Sequence, residues 1–118
     1  LALSLYFDRC TVYPGSIATG STGSGCTTTF GEYISVVPKD PKSAAVYTYK
    51  TNAPTNGGKA TNYVIATILE VNNPVILGDS LKSFPAGISN TGGQGTNIAY
   101  NVSTGLFTDP LIYAVTSN

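Results

Sequence analysis

The side chains in this sequence that could do chemistry are six carboxylates and two cysteines, because histidine is absent. Without histidine the chain lacks the usual general base near neutral pH and the common Ser-His and Cys-His pairs. The carboxylates lie scattered over predicted loops and strand ends, with no spacing typical of a catalytic pair: Asp8, Glu32, Asp40, Glu70, Asp79 and Asp109. We therefore expect no catalytic residue and no cofactor, and predict that the protein is not an enzyme.

The two cysteines, Cys10 and Cys26, enclose a segment rich in Gly, Ser and Thr that has little capacity to order itself. A disulfide would staple this segment and would contribute about 3 kcal/mol in the chain-entropy model. No other metal-ligating side chains accompany the pair, which disfavours a metal site. We predict a disulfide, with two buried reduced thiols as the alternative.

Oxygen donors suited to calcium occur at Asp79 and Asp109, together with Asn72, Asn73 and loop carbonyls. Their spacing matches no calcium-binding loop, so solvated turn residues are the favoured interpretation. We therefore predict no metal site.

Two further motifs lie in the last third of the chain. The Gly-rich run Asn90–Asn97 lacks the Lys-Ser/Thr pair of a phosphate loop and the strand-to-helix context of a dinucleotide site, which favours a flexible surface loop. Asn101-Val102-Ser103 has the form of a glycosylation sequon, a triplet that often occurs by chance. The sequence alone assigns neither motif a function.

Composition narrows the class of protein. The chain has 118 residues, six basic and six acidic, and only 10% charged residues, so a basic surface for nucleic acid or an anionic membrane is not expected. A polar but uncharged composition is typical of secreted or cell-surface β-rich domains. We predict a single domain over 1–118. The lack of Met, even at position 1, predicts a chain whose natural start has been removed.

The first 30 residues predict a helix end followed by a loop. The opening "LALSLYFDR" (1–9) is interpreted as the end of a longer helix with Leu1, Leu5 and Tyr6 on its packed face; a short strand is the alternative. Residues 10–30 carry turn and linker chemistry without periodicity, and are predicted to form an ordered loop closed by the disulfide.

Residues 31–118 predict a small antiparallel sheet with long loops. Glu32–Val37 has strand propensity and stops at Pro38, and Ala45–Val71 is predicted to be a hairpin whose second arm, from Thr61, is a central strand. Asn72–Asn97 is predicted to be mostly loop. Two alternating runs, "IAYNVS" and "LIYAVTS", are each predicted to add a strand. The fold class expected is α+β, with the helix end packed on the sheet.

Several short motifs recur in an order that resembles a known family. They are Tyr6 and Phe7 at the helix end, Tyr13-Pro14, Tyr33-Ile34, Pro38-Lys39-Asp40-Pro41 and Tyr47-Thr48-Tyr49. In this order they resemble the soluble headgroup of type IV pilins and of the related pseudopilins of type II secretion. The resemblance covers about residues 1–71. It implies that the Pro-Lys-Asp-Pro motif is a fold marker, which fixes the register of the following strand against the helix.

The resemblance implies a non-enzymatic structural subunit of an extracellular, cell-surface filament. Such a subunit is first anchored in the inner membrane and assembles with like subunits through a hydrophobic N-terminal helix, which would lie upstream of Leu1. We expect this chain alone to be a monomer that binds neither nucleic acid nor membrane. Its cysteines depart from the family pattern, in which the bridge often closes the C-terminal region.

Two alternatives remain open from the sequence. One is a calcium-dependent type II secretion pseudopilin, although the acidic C-terminal loop of that group has no clear counterpart here. The other is an extracellular carbohydrate- or surface-binding β-domain that would use exposed side chains such as Tyr47 and Tyr100.

Overall fold

A computed structural model describes residues 1–39, 47–69, 74–109 and 112–117. The predictions made for Asp40, Pro41, Asn72 and Asn73 lie outside these ranges. The described chain forms a mixed α+β fold with two helices, α1 (Ala2–Cys10) and α2 (Pro74–Gly78). Three strands, β1 (Thr48–Thr51), β2 (Tyr63–Ile68) and β3 (Ile112–Thr116), form one antiparallel sheet in the order β1-β2-β3.

Helix α1 lies where the sequence predicted it, but it packs through a different face. Leu3 and Tyr6 are buried, whereas Leu1 and Leu5 are 96% and 42% exposed. The prediction of Leu1 and Leu5 on the packed face is therefore wrong, and that of Tyr6 is right. The face is fixed by Cys10, which lies one turn after Tyr6 and is tied to the following loop.

The helix ends at Cys10 because the next residue turns the chain. Thr11 has φ of +60°, and its amide donates to the carbonyl of Phe7 at 2.7 Å, which satisfies one terminal acceptor. Arg9 lies in the last turn, where a positive charge is favourable to the helix dipole.

The hairpin and its central strand are confirmed. β1 pairs with β2 with Tyr49 opposite Ile65, and β2 pairs with β3 with Ile65 opposite Val115. The run "LIYAVTS" supplies β3, as predicted. A 3₁₀ turn at Ala53–Thr55 occupies part of the connection between β1 and β2.

Two predicted strands are absent from the described residues, and one helix was missed. The predicted strand Glu32–Val37 does not form. Its first residue instead ends a 3₁₀ turn, Phe30–Glu32, because Thr29 and Glu32 form a capping box. "IAYNVS" contributes only a single bridge, between Tyr100 and Phe107, so its alternation does not become a strand. In the predicted loop after β2, α2 begins at Pro74, a residue suited to the first turn of a helix.

The sheet is covered on both faces by two separate apolar clusters. The first cluster joins α1, the disulfide-closed loop and one face of the sheet: Leu3, Tyr6, Tyr13, Ile17, Phe30, Tyr49 and Ala60. The second cluster lies on the other face, where segments from the last third of the chain cover the strands: Val64, Ala66, Ile88, Ile98 and Ala114. Neighbouring residues of β2 thus enter different clusters, which explains the nearly continuous apolar run of that strand.

Both outer edges of the sheet are also occupied. On the β3 edge, the amide of Ala114 donates to Ser80 Oγ at 2.8 Å and its carbonyl accepts from the amide of Leu81 at 2.9 Å. On the β1 edge, Tyr49 and Gln94 exchange a pair of backbone hydrogen bonds of 3.0 and 2.7 Å. Occupied edges leave few free backbone groups for pairing with another chain.

The Gly-rich run, predicted to be a flexible surface loop, is instead packed against β1. A Cβ atom at Gly92 would lie 2.6 Å from the carbonyl oxygen of Thr51, and one at Gly93 would lie 1.9 Å from that of Tyr49. Gly93 also has φ of +87°. The glycines are therefore required for close backbone approach.

A side chain at Gly93 would be destabilising for two reasons, the close approach to β1 and the positive φ. A comparison with Gly58 separates the two costs. Gly58 has nearly the same φ, +83°, but a Cβ atom there would meet nothing within 4 Å. We expect Gly58→Ala to lower the free energy of unfolding by about 1–2 kcal/mol, and Gly93→Ala to lower it by at least about 2 kcal/mol more. Urea denaturation followed by circular dichroism measures both. Equal costs would show that the run does not pack tightly on β1.

Candidate functional site

The interface between α1 and the disulfide-closed loop is the best defined site in the described structure. The hydroxyl of Tyr6 donates to the carbonyl of Thr28 at 2.7 Å and accepts the amide of Gly23 at 2.6 Å. Tyr6 is fully buried, and its ring stands edge-on to Phe30 and Tyr33. Through these two hydrogen bonds the side chain of Tyr6 joins the helix to the loop at Gly23 and at Thr28.

The predicted disulfide is present. Cys10 at the end of α1 is bonded to Cys26, and their Cα atoms are 5.7 Å apart. Gly23, next to the bridge, packs so closely that an added Cβ would lie 2.6 Å from Val12 and 2.9 Å from the carbonyl of Tyr13. The loop is therefore ordered by a covalent bond, by hydrogen bonds to Tyr6 and by close packing.

Tyr13 and Pro14 join this loop to the sheet. The amide of Tyr13 donates to the carbonyl of Ala60 at 2.7 Å, and its ring lies edge-on to Tyr63 with centroids 4.8 Å apart. Pro14 is fully buried, and its carbonyl accepts the hydroxyl of Tyr49 at 2.8 Å. These contacts fix the position of the loop relative to β1 and β2.

Most of the described fold-marker residues converge on this region. Tyr33 and Tyr47 are partly buried against the first cluster, where Tyr13 and Tyr49 are core members. Pro38 is exposed, so it does not join them. The sequence placed these residues in order along the chain, and the fold brings the tyrosines into one apolar interface.

The ionisation of the buried tyrosines is strongly affected by this environment. Burial, followed by the charges that Tyr63, Tyr13 and Tyr6 would carry if ionised, raises the pKa of Tyr49 well above its ordinary value. Burial and then Tyr13 raise the pKa of Tyr63 as well. The site therefore keeps the Tyr49 hydroxyl neutral, as the donor of a hydrogen bond to the carbonyl of Pro14.

Lys50 is a buried residue that the sequence analysis did not identify. Its side chain is 3% exposed, its Nζ donates to the carbonyl of Gly95 at 3.2 Å, and burial lowers its pKa. The alternation of β1 did place Lys50 on the face opposite the tyrosines. No pattern along the chain indicated that the Gly-rich run would cover that face.

Among the described residues, the groups named for the alternative functions are not gathered into one site. Within the described ranges, no group of three or more His, Cys, Asp or Glu residues is placed to hold a metal ion. Tyr47 packs against the first cluster, whereas Tyr100 stands edge-on to Phe84 beside the second, so the two tyrosines do not share one binding surface. Two cavities, of about 260 and 290 Å³, lie below the lower end of typical small-molecule sites, about 300 Å³.

Among the described residues, exposed apolar side chains occur on opposite sides of the sheet. The outer face of α1 presents Leu1 and Leu5. On the side of the second cluster, the loop between Tyr100 and Phe107 presents Tyr100, Val102 and Leu106, which are 42%, 85% and 50% exposed. Large exposed apolar groups in patches are typical of interaction surfaces.

In the part of the chain that the structure describes, neither helix is long and apolar enough to cross a membrane. Comparisons of the chain with models of protein families, with curated proteins and with solved structures found no match. The resemblance to pilins therefore rests on the motifs of the sequence alone.

The buried tyrosine hydroxyl predicts a pH-dependent effect of Tyr49→Phe. At neutral pH the variant should lose about 1–3 kcal/mol of stability, because the buried carbonyl of Pro14 loses its donor. A raised pKa in the folded state means that the wild type loses stability as the pH rises above about 10, where Tyr49 ionises only in the unfolded chain. Phe cannot ionise, so the gap between the two proteins should narrow.

Urea denaturation at pH 7, 9, 10 and 11 measures this gap. Val64→Ala is the matched control, because it removes fully buried methyl groups without removing a titratable side chain. Its gap to the wild type should stay constant across this pH range. A Tyr49→Phe gap that also stayed constant would contradict the role given to burial.

Removing the disulfide should destabilise the fold without changing it. We expect the double variant Cys10→Ser and Cys26→Ser to lose about 3 kcal/mol of unfolding free energy, because its unfolded chain is less constrained. Adding a reductant should lower the stability of the wild type to a similar level and leave the variant unchanged. A wild type insensitive to a reductant that demonstrably opens the bridge would contradict this expectation.

Proposed function

We propose that this chain is the globular headgroup of a non-enzymatic, extracellular structural subunit of the type IV pilin kind. In this proposal α1 is the last part of a longer N-terminal helix through which subunits assemble into a filament. The observation that carries the proposal is the double attachment of α1: Tyr6 and Cys10 fix its inner face to the headgroup, while Leu1 and Leu5 on its outer face stay exposed.

The occupied sheet edges support assembly through the helix. Ser80 and Leu81 cover the β3 edge at Ala114, and Gln94 covers the β1 edge at Tyr49. Addition of a strand from another subunit would first have to displace these contacts. The exposed apolar stripe on α1 requires no such displacement.

The disulfide supports an extracellular address. A bond between Cys10 and Cys26 persists in oxidising compartments and is rare in reducing ones. With few charges and a loop stapled to the helix, the headgroup has the features expected of a surface-exposed subunit.

The outer face of α1 can be tested in the full-length protein in its source cells. We expect Leu5→Ser to reduce the yield of filaments sheared from the cells, because it removes apolar contact area on the proposed assembly face. The melting temperature of the isolated headgroup should stay nearly unchanged, since Leu5 is already partly exposed. Val36→Ser is the matched control, because Val36 is 76% exposed and is not part of α1.

Immunogold labelling with an antibody against this chain provides the direct measurement. Label along sheared filaments is expected, together with a monomeric state of the isolated 118-residue chain in sedimentation. Label that is found only away from filaments would overturn the proposal. So would a gene in which a conventional signal peptide leads directly into Leu1, because no assembly helix would then exist.

A further inference from the structure

The sequon Asn101-Val102-Ser103 lies in a tight loop on the side of the sheet away from α1. Tyr100 and Phe107 form a bridge at the base of the loop, where the amide of Asn101 donates to the carbonyl of Leu106 at 2.9 Å. The amide of Gly105 donates to the carbonyl of Asn101 at 2.7 Å, and Gly105 has φ of +76°. Residues 101–104 are all exposed.

The side chain of Asn101 is held in a defined orientation within this loop. Its Oδ1 accepts the amide of Ser103 at 2.8 Å and that of Thr104 at 3.3 Å, which forms an Asx turn. Its Nδ2 makes no hydrogen bond to any other described residue. Asn101 is exposed, and the nitrogen that a transferase would modify is unpaired among the described residues, while the turn holds the backbone amide of Ser103 against the same side chain.

The surroundings of Asn101 give a second, independent observation. Tyr100 and Val102, its neighbours in the chain, and Leu106, whose carbonyl accepts its amide, are all exposed apolar residues. The base of this loop is rigid, because Phe84 stands edge-on to both Tyr100 and Phe107, with ring centroids 5.8 and 5.1 Å apart. A bulky polar group on Asn101 would cover these apolar side chains. It would thereby lower the free-energy cost of exposing them to water.

We propose that Asn101 is a site of N-linked glycosylation. The donor would be an oligosaccharide linked through pyrophosphate to a lipid, supplied with its transferase in the export pathway. In the transfer, Asn101 Nδ2 forms a bond to the anomeric carbon of the sugar. The bond between that carbon and the phosphate oxygen breaks, the amide loses one proton, and the lipid pyrophosphate leaves with the electron pair.

The site is distinct from the proposed assembly surface. Asn101 lies beside the second cluster, whereas α1 packs on the opposite face of the sheet. A glycan there would point away from a filament axis formed by α1. The proposal requires only that the chain is exported, so it does not depend on filament assembly.

Peptide mapping by mass spectrometry, on the protein isolated from the surface of its source cells, tests the proposal. We expect the peptide that contains Asn101 to carry a glycan mass located on that residue. Expression in the same cells should give complete loss of this mass in Asn101→Gln and in Ser103→Ala, whereas Ser103→Thr should retain it. An unmodified Asn101 in the wild type would overturn the proposal, as would a glycan that persists on the same peptide in Asn101→Gln.

A second measurement tests the shielding role. After enzymatic removal of the glycan, the folded protein should bind more of an apolar fluorescent dye, and Val102→Ser should reduce that increase. Unchanged dye binding would overturn the shielding argument. The mapping result is separable from the proposed function: an unmodified Asn101 on a protein found in filaments rejects only the glycosylation, and a glycan on a protein absent from filaments rejects only the assembly.

Discussion

The hydroxyl of Tyr6 is the contact on which the rest of the structure depends. It is buried, accepts the amide of Gly23 and donates to the carbonyl of Thr28, so it satisfies two backbone groups of a loop that has no secondary structure of its own at those positions. Because an unpaired buried polar group is costly, Tyr6 and the loop can be buried only together. The disulfide at Cys10, one turn further along the helix, holds them in that arrangement.

A sheet of three short strands requires cover on both faces and at both edges to be stable in water. The chain covers one face with α1 and the disulfide-closed loop, and the other with its last third. The edges are closed with short segments, at Ser80 and at the glycines beside β1. Much of the chain that has no helix or strand therefore performs a structural task, which is consistent with a compact headgroup that has few exposed backbone groups.

Apolar side chains remain exposed on both sides of the sheet. The outer face of α1, with Leu1 and Leu5, belongs to the element that Tyr6 and Cys10 tie to the core. The loop at Asn101 is joined to the opposite side through Phe84 and Phe107. The proposed assembly and the proposed glycosylation would therefore use opposite sides of the sheet.

The sequence by itself determined the elements whose signals are local. Alternation and turn residues predicted the β1–β2 hairpin and β3, and the composition between Cys10 and Cys26 predicted the disulfide. The tertiary structure decided the rest. The face that α1 buries and the burial of Lys50 each depend on groups distant in sequence, namely the carbonyl of Thr28 for Tyr6 and that of Gly95 for Lys50. Local propensity cannot register such partners, because their contribution exists only after the chain has folded.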